Sequence, residues 1–143
     1  MKNVPRRPRT VSLILLLLIF LGLVQLAKVV ALREQSALLL DLQVRPDPHL
    51  RMLISAVWMV VFWVLAVALW RRNALTRWLV PLIIALHFVY ELAILRLFAR
   101  IPINNGRWFL YGFMMIATVS FATWALNRSA NNPYFLEDKP ANE

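Results

Sequence analysis

Four long apolar stretches divide the chain, parted by short polar connections. They run from Val11 to Leu32, Leu50 to Trp70, Leu75 to Phe98 and Trp108 to Leu126. Each is close to the ~20 residues that cross a hydrocarbon layer about 30 Å thick at 1.5 Å per residue. An open strand in lipid would leave its peptide groups unpaired, and stretches of this length do not suit the short alternating strands of a barrel. The pattern predicts an all-α integral membrane protein, a single antiparallel four-helix bundle within residues 1–127. Residues 128–143 turn polar, contain Pro133 and Pro140, and read as a loose tail.

The connections carry cap and turn chemistry. Asp47-Pro48 reads as an N-cap followed by proline at the first helical position. Arg71-Arg72-Asn73 is too short for anything but a helical hairpin. Asn104-Asn105-Gly106 reads as a turn ahead of the fourth helix. Pro81 falls in the third stretch, where its ring frees the carbonyl of Arg77 and predicts a mild kink. Ala27 with Ala31, and Thr118 with Ala122 and Ala125, have the spacing of close helix contacts.

Composition sharpens this picture by exclusion. Hydrophobic residues make up 61% of the 143 and charged residues 16%, against roughly 45–50% and 25% in soluble domains. A solvent-bathed catalytic domain and a disordered chain are both excluded. With no cysteine, disulfides, thiolate catalysis and thiolate-ligated metals are excluded too. No P-loop, catalytic triad or HExxH sequence is present, so no catalytic residue is assigned and the balance leans away from an enzyme.

The net charge of +9 comes from cations flanking the spans, where they meet anionic lipid headgroups. A nucleic-acid footprint would need a basic face on a soluble domain, and none is encoded. With both termini inside, nine loop cations lie inside and six outside, which favours cytoplasmic termini in a bacterial inner membrane. Trp70, Trp78 and Trp124 then share the inner interface and Trp108 marks the outer one. Basic residues before the first stretch, and Val29-Val30-Ala31 within it, also describe a signal peptide. The length of the stretch and the position of Lys28 favour a retained helix.

Ionisable groups inside a span cost roughly 2.5–3.5 kcal/mol each near its centre, so each needs a reason. Lys28, His87 and Glu91 are the clear cases, with Gln25 a polar companion. Counted from the inner boundary at ~1.5 Å per residue, Lys28 lies ~26 Å up, Glu91 ~24 Å and Gln25 ~21 Å. Ser55 and Tyr111 fall near ~22 Å on the descending helices. One polar layer is therefore expected, centred on a Lys28–Glu91 ion pair. Gln25, Ser55, Tyr90 or Tyr111 would satisfy its spare donors and acceptors. The layer reads either as structural glue between helices or as a polar site for transport or binding.

His87 and Glu91 stand four apart on one helix face. Two ligands do not make a metal site. A tetrapyrrole on His87 would lack a second histidine at matching depth. The expectation is that no cofactor or metal is held. Four-helix drug exporters carry an acid in the first helix and many glycines, whereas here that helix has Lys28 and the chain has three glycines. An accessory or assembly subunit is the first functional expectation, acting on a membrane-protein partner or as a homo-oligomer. A small transporter, channel or ligand-binding bundle using Lys28, His87 and Glu91 is the second.

Overall fold

The computed structural model describes residues 8–41, 47–98 and 105–128. It contains four helices: α1 (Arg9–Asp41), α2 (Pro48–Trp70), α3 (Thr76–Phe98) and α4 (Asn105–Asn127). Each is long and apolar enough to cross a membrane, and there is no strand among the described residues. The helices form an antiparallel ring in which each packs against its sequence neighbours and α1 also meets α4. The α1–α2 pair is the most intimate. The polar tail expected after residue 128 and the side chain of Trp108 lie outside the described residues.

The first boundary differs from the apolar pattern. α1 continues nine residues past Leu32 to Asp41. Arg33 and Glu34 end the apolar run, yet charges on long straight side chains are good helix formers. Hydropathy marked where lipid contact should stop, not where the helix stops. At the fourth helix, Asn105 and Gly106 form part of its first turn rather than a separate turn. Asparagine and glycine favour helix starts as well as turns, so the triplet did not separate the two.

The caps follow local chemistry. The Asp47 carboxylate accepts from the His49 amide at 2.8 Å, with Pro48 opening α2. α2 ends where Arg72 adopts a left-handed backbone, φ 62°. There the Asn73 and Arg72 amides donate to the carbonyls of Ala68 and Leu69, each at 3.1 Å, closing a Schellman-type end. The Asn73 carbonyl then accepts from the Thr76 hydroxyl at 2.6 Å, starting α3 after a five-residue connection from the end of α2. α3 runs unbroken through Pro81, which is buried in its second turn.

Packing is concentrated at one end of the bundle. The buried apolar side chains are Val11, Ile14 and Leu18 of α1, Phe62, Leu65, Ala66 and Leu69 of α2, Val80 and Ile84 of α3, and Ala122, Ala125 and Leu126 of α4. All of them lie toward the end that holds the start of α1 and the α2–α3 turn, called here the closed end. Of the buried polar side chains, Thr76 sits at the α2–α3 turn, whereas Gln25, Ser55 and His87 lie toward the other, open end. Ala122 and Ala125 are buried as their spacing suggests, whereas Ala27 and Ala31 are exposed. A close contact comes instead from Gly22. A Cβ placed there would sit 2.5 Å from the Trp63 indole nitrogen, so the missing side chain is what admits the ring of α2.

Candidate functional site

α1 and α3 run in the same direction and face each other across the ring. Two polar rungs join them. In the first, Lys28 Nζ donates to Glu91 Oε1 at 2.6 Å, the pair that the helical rise predicts. Both side chains keep access to space, at 40% and 36% exposure. In the second, about one turn nearer the closed end, the Gln25 amide lies 3.1 Å from His87 Nε2. Gln25 therefore serves His87 and not the ion pair, a correction to the expected arrangement. The reason is rotational phase. Residues 25 and 28 differ by three positions and 87 and 91 by four, so each α1 residue meets the α3 residue at its own level.

The second rung is deeply buried, with Gln25 1% and His87 5% exposed. With the amide donating, His87 Nε2 accepts and the ring proton sits on Nδ1. Gln25 Oε1 and His87 Nδ1 then have no protein partner. Turning the amide over exchanges the roles at that bond, but still leaves Nδ1 and one amide atom unmatched. Buried polar atoms without partners are costly, at about 1–3 kcal/mol each, and water or a ligand group commonly satisfies them. His87 is otherwise boxed by aromatic rings: Trp58 at 4.9 Å and Phe62 at 5.1 Å between centroids, both edge-on. Glu91 Oε1 stands 4.0 Å from His87 Nε2, linking the two rungs.

Two half-open cavities flank the ion pair and share Lys28 and Glu91 as a common wall. The first, about 230 Å³, lies among α1, α2 and α3. Gln35, Arg51, Ser55 and Tyr90 complete its polar lining. The second, about 200 Å³, lies among α1, α3 and α4, reaches Gln25 and His87, and has Tyr111 on its α4 side. Its remaining walls are apolar, including Leu21, Val24 and Phe88. Toward the closed end the interior fills with Leu18, Phe62 and Ile84, each fully buried. The polar space is thus a vestibule with an apolar floor.

Every residue expected in the polar layer borders this vestibule. Lys28, Glu91, Gln25 and His87 form the two rungs, while Tyr90 and Ser55 line the first cavity and Tyr111 the second. Tyr90 and Tyr111 do not bond the ion pair. Sequence reasoning missed Gln35 and Arg51. The signal was present: Arg51 stands four before Ser55 on one face of α2, and Gln35 seven after Lys28 on one face of α1. Trp58 and Phe62, neither of them expected at the site, form the box around His87. No three His, Asp or Glu side chains converge among the described residues, so the site lacks the donor set of a metal centre.

Comparison with protein-family models, curated proteins and solved structures gives no match for this chain.

Proposed function

We propose that this small multi-pass membrane protein binds a small polar or amphiphilic ligand in the vestibule between α1 and α3. The observation that carries the reading is the pair of cavities around a part-exposed Lys28–Glu91 bridge, with unmatched polar atoms on Gln25 and His87 beneath it. An ion pair serving only as glue would gain from tight enclosure and full satisfaction. Here open space and spare hydrogen-bonding capacity remain instead. The apolar floor of Leu18, Phe62 and Ile84 argues for binding over continuous conduction in this conformation. The excess of flanking cations favours cytoplasmic termini in a bacterial inner membrane, with the vestibule in the outer half of the bilayer.

The absence of cysteine gives a clean test. A Ser55→Cys protein in intact cells should react with a membrane-impermeant anionic thiol reagent, whereas Ile84→Cys should not. Equal lack of reaction at both positions in detergent-opened membranes would remove the vestibule. Reaction only after the inner face is exposed would reverse the orientation.

A second reading, an accessory subunit acting through helix contacts, has one specific support. The first half of α4 is barely packed, with Phe109, Leu110, Phe113 and Met114 exposed and open space around Gly112. Purification in mild detergent as a clean monomer would remove that reading.

A further inference from the structure

We propose that the first cavity seats an anionic group, a phosphate or a carboxylate, against Arg51 and Lys28. This deepens the vestibule reading and rests on it. The charges lining the cavity are Lys28, Arg51 and Glu91. The Glu91 Oε1 that faces Lys28 is engaged at 2.6 Å, so that acid already answers one cation. The cavity retains one net positive charge, on a guanidinium whose planar fork matches two oxygens of a carboxylate or phosphate. Arg51 is half-buried in the first turn of α2 and has no carboxylate partner among the described residues, so the site favours a negative guest.

The other lining groups agree. Ser55, Tyr90 and Gln35 bring two hydroxyls and an amide to the same space, all able to donate to oxygen. Ser55 is 8% exposed, which puts this donor within the bundle and not on its rim. At about 230 Å³ the cavity has room for a headgroup-sized anion. A neutral sugar or a cationic amine would leave Arg51 unanswered or repelled. Beyond the ion pair, the apolar walls of the second cavity suit an acyl chain, which favours an anion carried by an amphiphile over a free one.

The test uses the full chain in mild detergent, with thermal unfolding followed by tryptophan fluorescence. Dioctanoyl phosphatidylglycerol, dioctanoyl phosphatidylcholine and inorganic phosphate are titrated separately. Phosphatidylglycerol should raise the unfolding midpoint by several degrees with saturation, and phosphatidylcholine should not. Arg51→Gln should raise the half-saturating phosphatidylglycerol concentration at least tenfold, and Ser55→Ala several-fold. Arg33→Gln, an exposed cation outside the cavity, should leave it unchanged. A saturable response to phosphate alone identifies a free anion as the guest and still supports the site. Equal responses to the two lipids, or a response indifferent to both Arg51→Gln and Ser55→Ala, overturns the proposal. If Ser55→Cys is labelled but no anion is felt, this inference falls while the vestibule stands. If labelling fails as well, both fall.

Discussion

Lys28 and Glu91 stand in the outer half of their spans, where a lone charge costs less than the roughly 2.5–3.5 kcal/mol of a span centre, and each offsets the other's cost. Removing one should therefore hurt more than removing both. Lys28→Met leaves an unanswered carboxylate and is expected to destabilise the protein by on the order of 1–2 kcal/mol, scaled down because the pair is part-exposed. Adding Glu91→Gln should recover part of that loss. Unfolding midpoints of the two single variants and the double variant in one detergent check this, and simple additivity would mean the pair is energetically idle. These two residues were legible in the sequence because depth follows from a rigid helical rise. Gln25 and His87 were legible as polar intruders but not as partners of each other. Depth alone gives height along an axis, while the pairing of 25 with 87 also depends on how each helix is turned.

Helix rotation is the information this sequence hides best. In water, a helix shows its buried face by its apolar stripe. In lipid, the outward face is as apolar as the inward one, so α1 and α4 look alike all round. The four elements and their order could be read, but not which alanines pack. Ala27 and Ala31 had the right spacing yet stay exposed, Ala31 on the wall of the first cavity, whereas Gly22, three residues from Gln25, makes the close approach to α2. Gly22→Ala should drive a methyl group into the Trp63 indole and cost about 1–3 kcal/mol, as overpacking does. Trp63→Leu in the same chain should relieve much of it. A Gly22→Ala protein that unfolds at the parent temperature would show that the ring swings aside without penalty.

Across the whole molecule, cohesion is unevenly shared. Among the described residues, the twelve buried apolar side chains gather toward the closed end, and the open end is held by two polar rungs and looser contacts. Local opening should follow this gradient. Within α4, amides near Ala122–Leu126 are expected to exchange hydrogen at least tenfold more slowly than those near Phe109–Ile116, measured in mild-detergent micelles. In α3, amides near Val80–Ile84 should likewise outlast those beyond Glu91. Uniform protection along each helix would contradict a one-ended core.

The length of α1 turns this gradient into a mechanical property. Its 33 residues exceed the 23 of each other helix. From Leu18, at the closed end, Lys28 is ~15 Å along the axis and Asp41 is ~35 Å along it, at 1.5 Å per residue. A tilt of about 10° pivoting on the packed end would shift the helix at Lys28 by roughly 2.6 Å and at Asp41 by roughly 6 Å. The first helix is therefore geared more than twofold. A shift of roughly 2.6 Å beside the ion pair arrives at the far tip as roughly 6 Å, about the rise of one helical turn.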